Sequence, residues 1–274
     1  MICRRRVEAG LSERDERIIR LVARFELLTT SHLALLGLQL PRDHSSVYRV
    51  LSRLTKRRYL AARPQWKGGV WGGSSEYVYR LGPAGRRFLG LTERPRTLRS
   101  HQLEHTLEVN DAYADLKVAE WQGGMRVLEY LTEPACDLMV GSIPLRPDAH
   151  VELEVAAEGA KVEFWFEVDR GTESRAELQA KYDRYWRACS SGQWPRRFFP
   201  YVLFIVPDVR RRTTVEAIIR SGAEKAQPFF HVCLAGELVE SVTAIAEPKL
   251  PPSWLTEVSR TGDLPIEREL AFIQ

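Results

Sequence analysis

The sequence predicts an α+β chain of two domains, with helices and a hairpin in front and a mixed α/β sandwich behind. Three observations predict this. Helical periodicity followed by two short alternating segments fills residues 12–81. Strict period-two alternation and then a continuous apolar run fill residues 145–207. Charge is also split along the chain. Residues 1–100 hold 21 Lys and Arg against 8 Asp and Glu, a charge of +13, whereas residues 101–274 hold 19 against 28, a charge of −9. The whole chain of 274 residues carries only +4, and its 44% apolar and 28% charged content is ordinary for a globular protein. An asymmetry of this kind points to an anion-binding front half and a differently employed back half.

The first helix is expected over 11–25. Ser12 and Asp15 form a capping pattern, and Ile18, Ile19, Val22 and Phe25 make a buried stripe. Thr29 or Thr30 caps a second, short helix that ends near Gly37. The third helix follows Asp43, a candidate N-cap. Its apolar stripe is Val47, Val50, Leu51 and Leu54. Its other face carries Ser46, Arg49, Arg53 and Lys56, with Arg57 and Arg58 at the end. Hydroxyl and guanidinium groups on a helix packed on a core suit a reader of the DNA major groove, where Arg pairs bidentately with guanine. Residues 59–63 and 77–81 alternate as strands around a glycine-rich tip that holds Trp66, Lys67 and Trp71. Helix, short helix, basic helix and hairpin is the order of a winged helix-turn-helix. The expected partner is double-stranded DNA, contacted by Ser46, Arg49, Arg53, Lys56, Arg57 and Lys67. An amphipathic helix with a merely solvated basic face is the alternative. A further helix starts at Pro83, and the polar stretch 92–100 marks a boundary between a DNA-binding domain, 1–98, and a second domain, 99–274.

The long helix 101–121 is apolar on two faces and is expected to pack between the domains or against a second copy of the chain, as in a homodimer. His101 and His105 lie one turn apart on it, a spacing that could suit a metal, but with no third ligand evident helix capping and hydrogen bonding explain them better. Strands are expected at 125–131, 145–155, 161–169, 201–207 and 229–234, with helices at 173–188 and 213–220. The run YVLFIVP from Tyr201 reads as a central strand covered on both faces.

Pro147-Asp148 on one strand, Glu167-Val168-Asp169 on the next and Lys181 in the following helix resemble the PD-(D/E)XK motif of restriction-endonuclease-like folds. The resemblance implies a catalytic set of Asp148, Glu167, Asp169 and Lys181, with Asp148 and Glu167 holding Mg²⁺, an ion suited to oxygen ligands. The lysine of that motif should stand where Asp169 stands, so Lys181 would have to supply it from the helix. Asp148, Glu167 and Asp169 are expected to converge. HQLEHTLEVNDAYADL from His101, RPDA from Arg146, FEVDRGTES from Phe166 and AKYDRYWRA from Ala180 together resemble the replication-relaxation family of plasmids and integrative elements. This resemblance spans about residues 12–235. It implies an N-terminal winged helix, a nuclease-like C-terminal domain and a role in the replication or transfer of mobile DNA.

No apolar window reaches the length of a transmembrane span, and the N-terminus lacks a signal-peptide core, so a cytoplasmic protein without a membrane partner is expected. Cys3, Cys136, Cys189 and Cys233 match no zinc or redox spacing and read as reduced thiols. Three functions remain open: a DNA-binding replication or regulatory factor with a non-catalytic nuclease-like domain, a Mg²⁺-dependent endonuclease, and a transcription regulator with a dimerising or sensing domain.

Overall fold

The structure, a computed structural model, describes residues 10–41, 44–66, 75–92, 99–155, 160–196 and 198–246. The chain divides into two units, Met1–Lys117 and Val118–Gln274. The division falls inside a long helix, not at the polar stretch before it.

In the first unit α1 (Glu13–Phe25) opens with the expected capping box, Ser12 and Asp15 exchanging backbone-to-side-chain hydrogen bonds. A two-residue strand, β1 (Leu28–Thr29), leads to α2 (Thr30–His32), capped by Thr29 and continued as one π-helical stretch, Leu33–Leu38. Helix α3 (Ser45–Lys56) follows. The expected cap Asp43 lies outside the described residues; the residue that caps is His44, whose Nδ1 accepts from the Ser46 N–H at 3.2 Å. β2 (Leu60–Trp66) and β3 (Ser75–Leu81) pair as an antiparallel hairpin, and β1 joins the far side of β3. The hairpin tip, Lys67 and Trp71 included, lies outside the described residues. α4 (Pro83–Phe88) begins at Pro83, as expected.

Ile18, Ile19, Val22, Phe25, Val47 and Leu51 form the heart of this unit's core, so both helical stripes read from the sequence are the buried ones. Helix α5 (Ser100–Trp121) closes it. Leu103 and Leu107 pack on Leu27 and Val78, and the Tyr113 ring lies 4.7 Å from that of Phe25. Asn110, 1% exposed, donates from Nδ2 to the carbonyls of Phe25 and Leu27. His32, also buried, contacts the Asp111 carboxylate through Nε2 at 2.7 Å. Buried polar groups need such partners, and these tie α5 to the ends of α1 and α2.

The second unit is a mixed five-stranded sheet, ordered β10-β9-β8-β7-β4. β4 (Met125–Thr132) pairs with β7 (Ala149–Val155), and β7 with β8 (Ala160–Val168), all antiparallel. β8, β9 (Tyr201–Val206) and β10 (Phe230–Leu234) run parallel. The sequence predicts one strand over 145–155; there are two. β5 (Leu138–Val140) and β6 (Ile143–Leu145) make a separate hairpin, and Arg146-Pro147-Asp148 breaks the run before β7. Proline has no N–H for a ladder, which accounts for the break. Residues 156–159, where a turn is expected, lie outside the described residues.

α6 (Arg175–Ser190) packs Leu178, Tyr182, Tyr185 and Ala188 against Trp165, Val202 and Phe204 of the sheet. α7 (Val209–Ser221) adds Val215 and Ile218 to the same core. β9 is buried along almost its whole length between β8 and β10, as its continuous apolar sequence requires. α8 (Leu238–Ala246), which alternation in the sequence does not reveal, contacts β8 and β10. The tail from residue 247 lies outside the described residues.

Candidate functional site

Two constellations carry chemistry, one in each unit. On α3, burial of Val47, Val50, Leu51 and Leu54 turns the opposite face to solvent. That face carries Tyr48 (49% exposed), Arg49, Ser52, Arg53 and Lys56, which line a shallow groove with Arg57. Arg49 is held along the helix, its Nη2 donating to Ser45 Oγ at 3.3 Å and Ser46 Oγ at 3.2 Å. Such local bonds hold a guanidinium while leaving its remaining donors to a partner.

The six predicted DNA contacts do not stand alike. Arg49, Ser46 and Lys56 share the α3 face. Arg53 reaches back to α1 and pairs through Nη2 with Asp15 Oδ1; that carboxylate, 1% exposed on its side chain, also serves the α1 cap. Arg57 donates from Nη1 to the Gly10 carbonyl at 2.6 Å and lies over the Tyr59 ring. Both are committed to the fold. Lys67 lies outside the described residues. Sequence reasoning missed Tyr48 and Ser52, although both fall opposite the apolar stripe and periodicity alone places them there.

The second constellation gathers at the ends of β7 and β8. Asp148 precedes β7, its N–H donating to the Phe166 carbonyl and its Oδ2 accepting from the Val168 N–H at 2.7 Å. This sets it across from Glu167. Glu167 shares a sheet face with Trp165, two residues earlier, and so points at α6. There the Tyr185 hydroxyl donates to Glu167 Oε1, and the Lys181 ammonium lies 2.7 Å from Glu167 Oε2. Lys181 also pairs with Glu173 Oε1 at 2.8 Å. Lys181 and Tyr185 are one turn apart, so a single helix face delivers both.

Asp169 does not join this cluster. The expected convergence of three carboxylates is corrected to two from the strands, Asp148 and Glu167, with Glu173 from the following loop. β8 ends at Val168, and beyond it alternation no longer governs side-chain direction. Asp169 instead caps the Gly171 N–H, where φ is +74°, and binds Arg211 of α7 through both carboxylate oxygens. Tyr185, Glu173 and Arg211 are the participants that the sequence reading missed. Tyr185 carries a legible signal, one turn beyond Lys181.

Burial pushes Glu167 up to about 7, with Lys181 opposing the rise and Asp148 adding to it. Burial works against the charge on Lys181, but Glu167 and Asp148 outweigh it and hold its pKa above the ordinary lysine value. Tyr185 is raised well above the usual phenol range, first by burial and then by Glu167. In this arrangement the residues do not fit Mg²⁺. Both Glu167 oxygens face protein donors, Asp148 Oδ2 holds a backbone N–H, and the neutralising cation is an ammonium. Among the described residues, no group of three or more His, Cys, Asp or Glu side chains is placed to hold a metal, His101 and His105 included.

A family model described as replication-relaxation matches residues 19–202. The chain belongs to the replication-relaxation family. The match runs from α1 to the start of β9 and includes both constellations. Membership associates this replication-relaxation protein with the replication of mobile elements. None of the curated proteins matches it. Among solved structures, the restriction endonuclease FokI is similar over 90% of this chain and 46% of its own, at 12% identity and a TM-score of 0.27. The chain thus spans less than half of that structure, and a likeness this weak says nothing of activity. No described helix is long and apolar enough to cross a membrane.

Proposed function

We infer that this is a DNA-binding protein of a mobile element, acting in its replication, transfer or regulation. Its N-terminal unit, Met1–Lys117, serves as a winged helix whose α3 enters the major groove of duplex DNA. Its C-terminal domain, a nuclease-like sheet, binds without cleaving. The observation that carries the reading is the exposed face of α3: Tyr48, Arg49, Ser52 and Lys56 stand on one side of a helix whose other side is core. A twelve-residue helix is about 18 Å long. Arg49, steadied by two serine hydroxyls, presents the planar fork that pairs with guanine O6 and N7, and Lys56 neutralises phosphate. The reading is tested by titrating the full chain onto labelled duplex DNA at rising salt. Binding that weakens steeply with salt, and by about 1–3 kcal/mol on Arg49→Ala, is expected; no binding at low salt refutes it.

One observation favours a second reading, a Mg²⁺-dependent endonuclease: Asp148, Glu167 and Lys181 do come together. Against it stand the commitment of both Glu167 oxygens and the −9 charge of residues 101–274, which opposes phosphate approach. Cleavage of supercoiled plasmid with Mg²⁺ or Mn²⁺, lost in Asp148→Ala, would establish the nuclease.

A further inference from the structure

Away from the exposed face of α3, Arg80 of β3 and Arg86 and Arg87 of α4 line one open pocket, with Ala61, Leu81 and Pro83 as apolar wall. These three guanidinium groups have no hydrogen-bond or carboxylate partner among the described residues. Arg53 and Arg57 are different, each held by a protein acceptor. Three guanidinium groups lining one pocket, with no carboxylate beside them among the described residues, make it attractive to an anion.

The backbone fixes the pocket firmly. Gly82 donates to the Tyr59 carbonyl at 2.8 Å and Ala84 to that of Arg58 at 3.0 Å. A Cβ on Gly82 would lie 2.2 Å from the Arg58 oxygen, and one on Gly85 2.3 Å from that of Tyr59. Only glycine lets α4 lie so close to the turn that leaves α3. The start of α4 is therefore clamped to the turn that leaves the C-terminal end of α3.

We propose that this pocket seats the phosphodiester backbone of the duplex whose groove α3 enters, as a contact that does not depend on sequence. The proposal rests on the reading of α3 as the DNA-contacting helix. Guanidinium forks match phosphate oxygens in pairs, and the apolar wall suits the sugar edge between phosphates. An acidic peptide would meet the same arginines; the +13 charge of residues 1–100 and the backbone link of α4 to the turn that leaves α3 favour DNA.

The test is fluorescence anisotropy of the full chain on several unrelated labelled duplexes, each over a range of salt. The variants are wild type, Arg49→Ala and the triple Arg80→Ala/Arg86→Ala/Arg87→Ala. A control triple, Arg175→Ala/Arg187→Ala/Arg220→Ala, removes the same charge from exposed positions of the second unit. The pocket variant should weaken binding to all duplexes alike and flatten the plot of log K against log salt by about 2 to 3, with an unchanged urea midpoint. An unchanged slope, with Arg49→Ala still weakening binding, overturns the pocket and leaves the α3 reading standing. Equal flattening by the control triple also overturns it. No duplex binding by wild type refutes the α3 reading itself. Polyglutamate bound more tightly than duplex, and lost in the pocket variant, would transfer the site to a protein partner.

Discussion

On α3 the exposed face carries Arg49, steadied along its own helix by Ser45 and Ser46, and exposed Lys56, whereas at the end of β8 the charges are folded inward, Glu167 being 2% exposed against Lys181 and Tyr185. An exposed guanidinium contributes little to stability and is open to a ligand. A buried ion pair is the reverse: its loss leaves an uncompensated charge, and its oxygens are closed to a partner. The same residue types thus line an exposed face in one unit and form an internal fastening in the other. What separates them is enclosure, which charge alone does not convey.

The sharpest way to break this contrast is Lys181→Met. It leaves Glu167, and Asp148 beside it, without the ammonium, and should destabilise the chain by about 3–5 kcal/mol in urea unfolding. Lys181→Met/Glu167→Gln should recover most of that loss. A Lys181→Met protein as stable as wild type would show that the pair is not a fastening. Next in size, Arg53→Ala should lower stability by about 1 kcal/mol, since Arg53 is half exposed and its share is screened. Its duplex affinity should change far less than that of Arg49→Ala. Should Arg53→Ala lose as much binding as Arg49→Ala with no change in the urea midpoint, Arg53 is a DNA contact after all.

Smallest is the pH effect. Glu167 lies above its unfolded value, so its contribution is present in full below pH 4.5 and is lost as pH rises through about 7. Unfolding free energy of wild type should fall relative to Glu167→Gln across that window. A constant difference from pH 5 to pH 8 would place the Glu167 titration elsewhere.

Much of this was legible in the sequence because periodicity survives folding. The stripes of α1 and α3 and the buried run of β9 follow from residue spacing, and the meeting of Glu167 with Lys181 from the motif resemblance. The coarser architecture, α and β elements around a mixed sheet, was legible too. What was not legible depends on where an element stops. Asp169 was grouped with Glu167 by alternation, but β8 ends one residue too early for alternation to hold. Pro147 divides what reads as one strand. Arg53 and Arg57 looked like surface charges because their acceptors, Asp15 and Gly10, lie 38 and 47 residues away.

Asn110 has a practical consequence for anyone who would graft the α3 face onto another protein. The carbonyls of Phe25, the last residue of α1, and of Leu27 just beyond it both accept from a side chain more than 80 residues downstream. A transplant cut at the polar stretch before α5 would remove the Asn110 donor from both carbonyls, leaving that of Phe25 with the Leu27 N–H, and would uncover Leu27 and Val78. The portable unit is therefore longer than the reader: it runs through the first five turns of α5, and a shorter graft would carry the right arginines on a loosened frame.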